Sequence, residues 1–361
     1  MLKNKLSVRQ ICIIMCVYGA ASKLMLYPTT MAAACGNLLW ASILLNTALQ
    51  SAIVWGVCFL SERTGVTFFE LVQRGLGKTV ARIIYAVYAV YFLFSAFAPM
   101  VEQQLMVHEA FYDTIPSILV FLPFFIFAVY AGSKGLTNAG RTAEICLPVF
   151  AVTVFLLLVM SAMECDFSAL LPFGARKFSE VLSGCGQGFF RFDGGAVMLM
   201  FMGNYEKTKR SSLKIALSSA IGGITVAAVA AVFWAVYSDL AVVQYFAITK
   251  ISIFFSAISL IGRTDLLAVY ALDIAMLFSI VLNIQLASYA LTKVFARPLT
   301  SIYSLALNAV LIVLTFALNN KFALVQSLAS SVLGWATLAC AYVLPLAAWG
   351  LKFMGGSREK A

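Results

Sequence analysis

The strongest constraint on this chain is a series of long apolar runs, repeated from end to end and joined by short polar links. A helix needs roughly 20 mostly apolar residues to cross a bilayer. Ten stretches qualify, at about 8–34, 37–61, 82–106, 116–133, 142–163, 178–204, 212–237, 265–295, 299–318 and 328–352. Only 11% of the 361 residues are charged, against about 25% in a soluble domain. The sequence therefore predicts an all-α integral membrane protein, one transmembrane domain over 1–361 with ten spans. The start, "MLKNKLSVRQICIIM", reads as the first span and not as a cleaved signal, because its apolar run continues and no small-residue cleavage site follows.

The net charge of +10 is explained by topology. With a cytoplasmic N-terminus, the inner side holds Lys3, Lys5, Arg9, Arg63, Arg74, Lys78, Arg82, Lys134, Arg141, Lys207, Lys209, Arg210, Lys214, Lys293, Arg297, Lys352, Arg358 and Lys360, which is 18 of the 25. The outer side holds Arg176, Lys177, Lys250, Arg263 and Lys321, and Lys23 and Arg191 fall within spans. That asymmetry predicts an even number of spans with both termini inside. The cations form no stripe between aromatics, so no nucleic-acid partner is expected.

Motifs for catalysis or metal binding are not found. "GLGKT" at 75–79 lacks the first glycine of a phosphate-binding loop, because Val72 stands there. The single histidine, His108, reads as a surface residue. The cysteines have no metal-ligand spacing and read as small buried apolar side chains. Cys165 and Cys185 flank one outer loop and could pair. No enzyme, cofactor or metal is expected.

Ten spans divide into halves of about 8–163 and 178–352, and the first span of each half is interrupted. Span 1 carries Gly19, the small run to Ser22, then Lys23 and Pro28; span 6 carries "GQGFFRFDGGAV" at 186–197. Interrupted spans at corresponding positions point to a transporter-type binding site. A break leaves backbone groups without helical partners, which hydrocarbon cannot satisfy, so the break should line a polar cavity. The breaks are expected at about 19–24 and 188–195, side by side, with the glycines of span 6 permitting unwound backbone and close approach.

Arg191 and Asp193 facing lipid would each cost roughly 2.5–3.5 kcal/mol. Facing a cavity, they can pair with each other or with Lys23, Glu102 or Asp273. The alternative is a solvated outer re-entrant loop. Candidate ligand-binding residues are Gly19, Ser22, Lys23, Glu102, Gln103, Arg191, Asp193, Gly194, Asn283 and Ser288. Gln104 joins Gln103 beside Glu102, and Asn46 and Gln50 in span 2 read as interhelical hydrogen-bonding groups.

Four stretches resemble the B subunit of GerA-type spore germinant receptors, the endospore germination permeases of the amino acid–polyamine–organocation superfamily. They are "LSVRQICIIM" (6–15), "LVQRGLGKTVARIIYAVYAVYFL" (71–93), "GLTNAGRTAEICLPV" (135–149) and "GRTDLLAVY" (262–270). The G-x-x-x-x-x-R-T-A-E-x-x-x-P stretch is the most specific. The resemblance implies a LeuT-like five-plus-five inverted repeat with broken helices 1 and 6. It further implies a place in the inner membrane of the spore, an A subunit and a C-subunit lipoprotein as partners, and sensing of small nutrients. In place of the glutamate that members often carry after F-x-F-G, this sequence has Asp193 followed by Gly194, with a cation at Arg191. Arg141 and Glu144 of "RTAE" are three apart and share a helix face, which fits either an interfacial ion pair or an inner gate. Asp273 joins these structural or gating residues, and Lys23 could replace the coupling cation of ion-driven relatives.

Overall fold

In the computed structural model, residues 5–111, 117–163, 165–171, 178–253, 265–318 and 321–358 are described. Lys3, Arg176, Lys177, Arg263, Lys360 and the opening of "GRTD" lie outside them.

The chain enters its first helix, α1 (Val8–Ala21), through a capping box. Gln10 donates its backbone N–H to Ser7 Oγ at 3.2 Å, and Gln10 Oε1 accepts from Ser7 N at 3.1 Å, so two orphan donors are satisfied reciprocally. After a non-helical stretch, Pro28 sits in the first turn of α2 (Tyr27–Cys35), where its missing N–H costs nothing. Gly36, at φ 56°, turns the chain into α3 (Leu39–Thr64). Next comes the short helix α4 (Phe68–Leu76), with its own capping box between Thr67 and Glu70. Then come α5 (Lys78–Phe111), α6 (Ser117–Ser133) and α7 (Leu136–Ala162).

The second half opens with α8 (Phe178–Gly188) and α9 (Gly194–Phe201), followed by α10 (Ser211–Tyr237). A short helix, α11 (Ala247–Ile253), lies between the predicted spans 212–237 and 265–295. α12 (Asp265–Phe295) and α13 (Thr300–Ala317) follow. The last helical stretch joins α14 (Phe322–Leu328), α15 (Gly334–Thr337) and α16 (Leu344–Arg358) through two π-helical segments, Ala329–Leu333 and Leu338–Val343.

Among the described residues, seven helical stretches are long and apolar enough to cross a membrane, and Val8–Ala21 and Phe121–Ser133 are shorter apolar helices. The protein is thus an all-α membrane protein, and its remaining expected spans are those that are broken or short. Large apolar side chains point outward, among them Ile126, Phe155, Val313 and Trp335. Inside, the helix contacts bury Asn46, Gln50, Glu102, Gln103, Asn283 and Asn308. Polar groups buried and apolar groups exposed is the reverse of a soluble fold, and it is what lipid as solvent requires.

The helices pack in pairs. α3 lies along α10, α5 along α12 and α6 along α13, while α1 contacts α7, α10 and α12. α2 packs on α8, and α3 touches both α8 and α9. The two broken segments are therefore held against the same helix, α3, and against each other. Cys165 donates to the Ser161 carbonyl at 2.8 Å and Cys185 to the Ser42 carbonyl at 3.5 Å, so the two thiols are engaged at separate places.

Candidate functional site at the paired helix breaks

The first interruption runs from Ser22, the cap of α1, to Leu26, overlapping the expected 19–24 and extending two residues past it. The second is a single 3₁₀ turn, Phe189–Arg191, followed by Phe192 and Asp193 in non-helical conformation. The glycines of span 6 do not supply left-handed backbone, because none of Gly186, Gly188, Gly194 and Gly195 has positive φ. Three of them allow close approach instead. A Cβ on Gly188 would run into the Tyr27 ring, one on Gly195 into the Ala341 carbonyl, and one on Gly194 would lie 2.9 Å from Gln50 Cδ. The break falls between the glycines, at the residues that carry the charge.

Five carbonyls at the two breaks meet donors from other turns or other helices. Lys23 Nζ donates to the Gly19 carbonyl at 2.6 Å, and Arg191 Nη1 donates to the Ser22 carbonyl at 2.7 Å. Ala247 N, at the start of α11, donates to the Met25 carbonyl at 3.1 Å. On the other break, Thr337 Oγ1 donates to the Phe190 carbonyl at 3.3 Å and Tyr342 OH to the Phe192 carbonyl at 3.1 Å. Gly194 N donates to Gln50 Oε1 at 3.3 Å. In a dry interior each unmet group would cost several kcal/mol, so two opened helices are tolerated.

The charges converge here. Arg191 Nη2 pairs with Glu102 Oε1, and both side chains are 4% exposed. Gln326 of α14 donates to the same Glu102 oxygen at 3.2 Å. Glu102 Oε2 is buried with no hydrogen-bond partner among the described residues. Tyr18 OH donates to Asp193 Oδ2 at 2.5 Å and lies 3.1 Å from Asn283 Oδ1, so one proton faces two acceptors. Lys23 Nζ stands over the Phe192 ring at 4.8 Å, a cation–π contact strengthened by desolvation.

Two cavities meet at Arg191. An inner one of about 20 Å³ is lined by Tyr18, Ser22, Ser95, Asp193 and Asn283, with Phe190 and Arg191 at its rim. That is room for one or two waters. The other side of Phe190 and Arg191 faces a vestibule of about 220 Å³ lined by Tyr27, Thr30, Gln187, Gln326, Ser327 and Ser330. Arg191 and Phe190 line both spaces, and the Arg191–Glu102–Gln326 chain braces that partition.

Of the sequence candidates, Gly19, Ser22, Lys23, Glu102, Arg191, Asp193, Gly194 and Asn283 gather at the breaks. Gln103 stands beside them but is turned to Asp273, donating to its Oδ1 at 2.8 Å and its backbone carbonyl at 3.2 Å. Asp273 accordingly accepts from an amide where a cation had been considered. Ser288 lies five residues, about 7.5 Å of helix rise, beyond Asn283 on α12. It is buried but does not line the cavity. Glu144 stands apart: it pairs with Arg9 Nε at 3.7 Å and accepts from Gln10 Nε2 at 3.5 Å. The "SVRQ" and "RTAE" stretches therefore meet each other, Arg141 stays exposed, and the pair considered within "RTAE" is replaced by one between α1 and α7. Sequence reasoning missed Tyr18, Gln326, Thr337 and Tyr342. Only Tyr18, next to Gly19, carried a signal in its position.

The sequence matches the spore germination protein family over residues 5–323. The chain belongs to the spore germination protein family. No curated protein matches it. Among solved structures, it is similar to a mutant of the manganese transporter of Eremococcus coleocola, at TM-score 0.59 and 12% identity over 94% of this chain and 78% of that one. At that identity the likeness shows the fold, so this spore germination protein is permease-like, with a transporter fold. The motifs that meet at Arg9 and Glu144, and the break carrying Arg191 and Asp193, lie within the matched span.

Proposed function

We propose that this spore germination protein is the nutrient-sensing B subunit of a GerA-type germinant receptor. In this reading it sits in the spore inner membrane with both termini cytoplasmic, beside an A subunit and a C-subunit lipoprotein. It has ten spans arranged as two inverted repeats of five. The pairing of α3 with α10, α5 with α12 and α6 with α13 supports the repeat, because the second, third and fourth spans then pack on their counterparts five spans along.

The observation that carries the reading is the buried Arg191–Glu102 pair between vestibule and inner cavity. A small nutrient with both a carboxylate and an ammonium group, such as an amino acid, can replace each partner for the other. Its carboxylate takes Arg191, and its ammonium takes Glu102, whose Oε2 has an acceptor site to spare. Such a ligand opens the partition without leaving either charge unpaired. A ligand shifts a conformational equilibrium only through unequal affinity for the two states. Binding here favours the rearranged break, and the partner subunits read that change as the germination signal.

The manganese of the structural relative is not carried over, since Lys23 and Arg191 already bring two cations to the break. A secondary amino acid or amine transporter is the second reading, favoured by the transporter fold itself. Screening amino acids and related nutrients against spores with and without this chain separates the two. A nutrient response that requires the chain, with no uptake of the labelled nutrient into vesicles containing the chain alone, supports sensing. Uptake into those vesicles supports transport. Gly194→Leu, which must displace Gln50 from the break, is expected to shift or abolish the response with protein still present; an unaltered dose–response places the site elsewhere.

A further inference from the structure

Away from the breaks, a cleft of about 470 Å³ opens between the start of α5, the end of α12 and the loop after it. Four cations line it: Lys78, Arg82, Lys293 and Arg297. None of the ten lining residues is acidic. The closest carboxylate in sequence to the lining Phe69, that of Glu70, accepts from Thr67 N at 2.9 Å. Lys293 stands 5.8 Å over the Phe69 ring and 5.4 Å over Tyr289, so the cleft has an aromatic wall. Asn204 donates to Tyr289 OH at 3.1 Å and so fixes that ring. Arg82 Nε is buried with no hydrogen-bond partner among the described residues.

The positive-inside rule explains why cations lie on this side, but not why four converge from three elements. Lys293, in the last turn of α12, is the cation that compensates the carbonyl end of that helix. The rest leave a concave, cationic site with an unused buried guanidinium donor, which is the chemistry that recognises phosphate. We propose that this cleft binds a phosphate-bearing anion, either the headgroup of an anionic phospholipid or a soluble phosphate compound. A basic pocket between spanning helices at the membrane surface suits the first source. Lys78 and Arg297 supply exposed charge at the rim, and Arg82 supplies directed donors within.

The test uses the full chain in phosphatidylcholine nanodiscs, with and without phosphatidylglycerol, and native mass spectrometry of the lipid retained. A parallel arm titrates inorganic phosphate into the phosphatidylcholine discs and follows thermal stability. The variant K78Q/R297Q alters only exposed side chains, so folding is preserved; R82Q tests the buried donor. At about 1 kcal/mol per cation near an anionic surface, K78Q/R297Q is expected to bind about thirtyfold more weakly. K209Q/R210Q, exposed elsewhere, is expected to bind as the parent does. Selective retention of phosphatidylglycerol, lost in K78Q/R297Q, identifies a lipid. A phosphate-dependent stabilisation lost in K78Q/R297Q, without lipid preference, identifies a soluble anion. If neither probe distinguishes K78Q/R297Q from the parent, or if K209Q/R210Q loses as much, the proposal is overturned.

Discussion

Between Ala21 and Tyr27 the chain contributes mainly carbonyl oxygens, and Lys23 bends back onto one of them. Between Gly188 and Gly194 it contributes Arg191 and Asp193, and its own carbonyls are taken by Thr337 and Tyr342 from another helix. The first break is an acceptor with a cation of its own, and the second is a carrier of fixed charge. The glycines differ in the same sense. A Cβ on Gly19 would make ordinary contact with the Ser219 carbonyl at 3.8 Å, whereas Gly188 and Gly195 have no room for one. Span 6 is locked by shape and span 1 by hydrogen bonding.

The comparison can be broken most forcefully at Glu102. Replacing it with Gln leaves Arg191 charged and buried, which costs about 3–5 kcal/mol. The expected outcome is a marked fall in folded protein, read by immunoblot and melting, with partial recovery in E102Q/R191M. Lys23→Met comes next. Lys23 has no ion pair among the described residues, so the loss is its charged hydrogen bond to Gly19 O, about 1.5–3 kcal/mol, together with its contact over the Phe192 ring. Wild-type melting of Lys23→Met would reduce Lys23 to a space-filling side chain.

The glycines give the third contrast. Gly195→Ala pushes a methyl into backbone and is expected to cost about 1–3 kcal/mol. Gly19→Ala is expected to be neutral or stabilising by up to about 1 kcal/mol, as for an accommodated glycine within a helix. Equal effects would erase the distinction between a shape-locked and a bond-locked break. The smallest effect is expected at Arg9→Gln, where the partner pair is exposed and worth about 0–1 kcal/mol.

The helices, their order and both interruptions could be read from the sequence because lipid leaves a chain few alternatives: apolar runs must be helices, and charge within them must face protein. Arg191, Asp193 and Glu102 were visible for the same reason, being costly anywhere else. The exact pairing was not visible. Whether Arg191 met Asp193, Glu102 or Asp273 depends on helix rotation and on Gln103 claiming Asp273, which no periodicity encodes. The role of span 10 was equally hidden, because Gln326 falls just before the predicted 328–352, and Thr337 and Tyr342 are isolated polar residues within its apolar run. The first break overlaps the expected 19–24 but begins at Ser22 and runs on to Leu26, which follows from Pro28. Proline at the start of α2 sets where helix resumes, and Gly19 is left as a helical residue whose carbonyl receives Lys23.

The central claim is that a nutrient binds by replacing the Arg191–Glu102 pair. Its most direct test is binding of the labelled nutrient found by the spore screen to the purified chain and to E102Q/R191M. That double variant removes both charges of the pair together, so its folding can be verified by melting before binding is measured. Saturable binding in the parent and its loss in the folded double variant is the expected result. Unchanged affinity in E102Q/R191M would contradict the account.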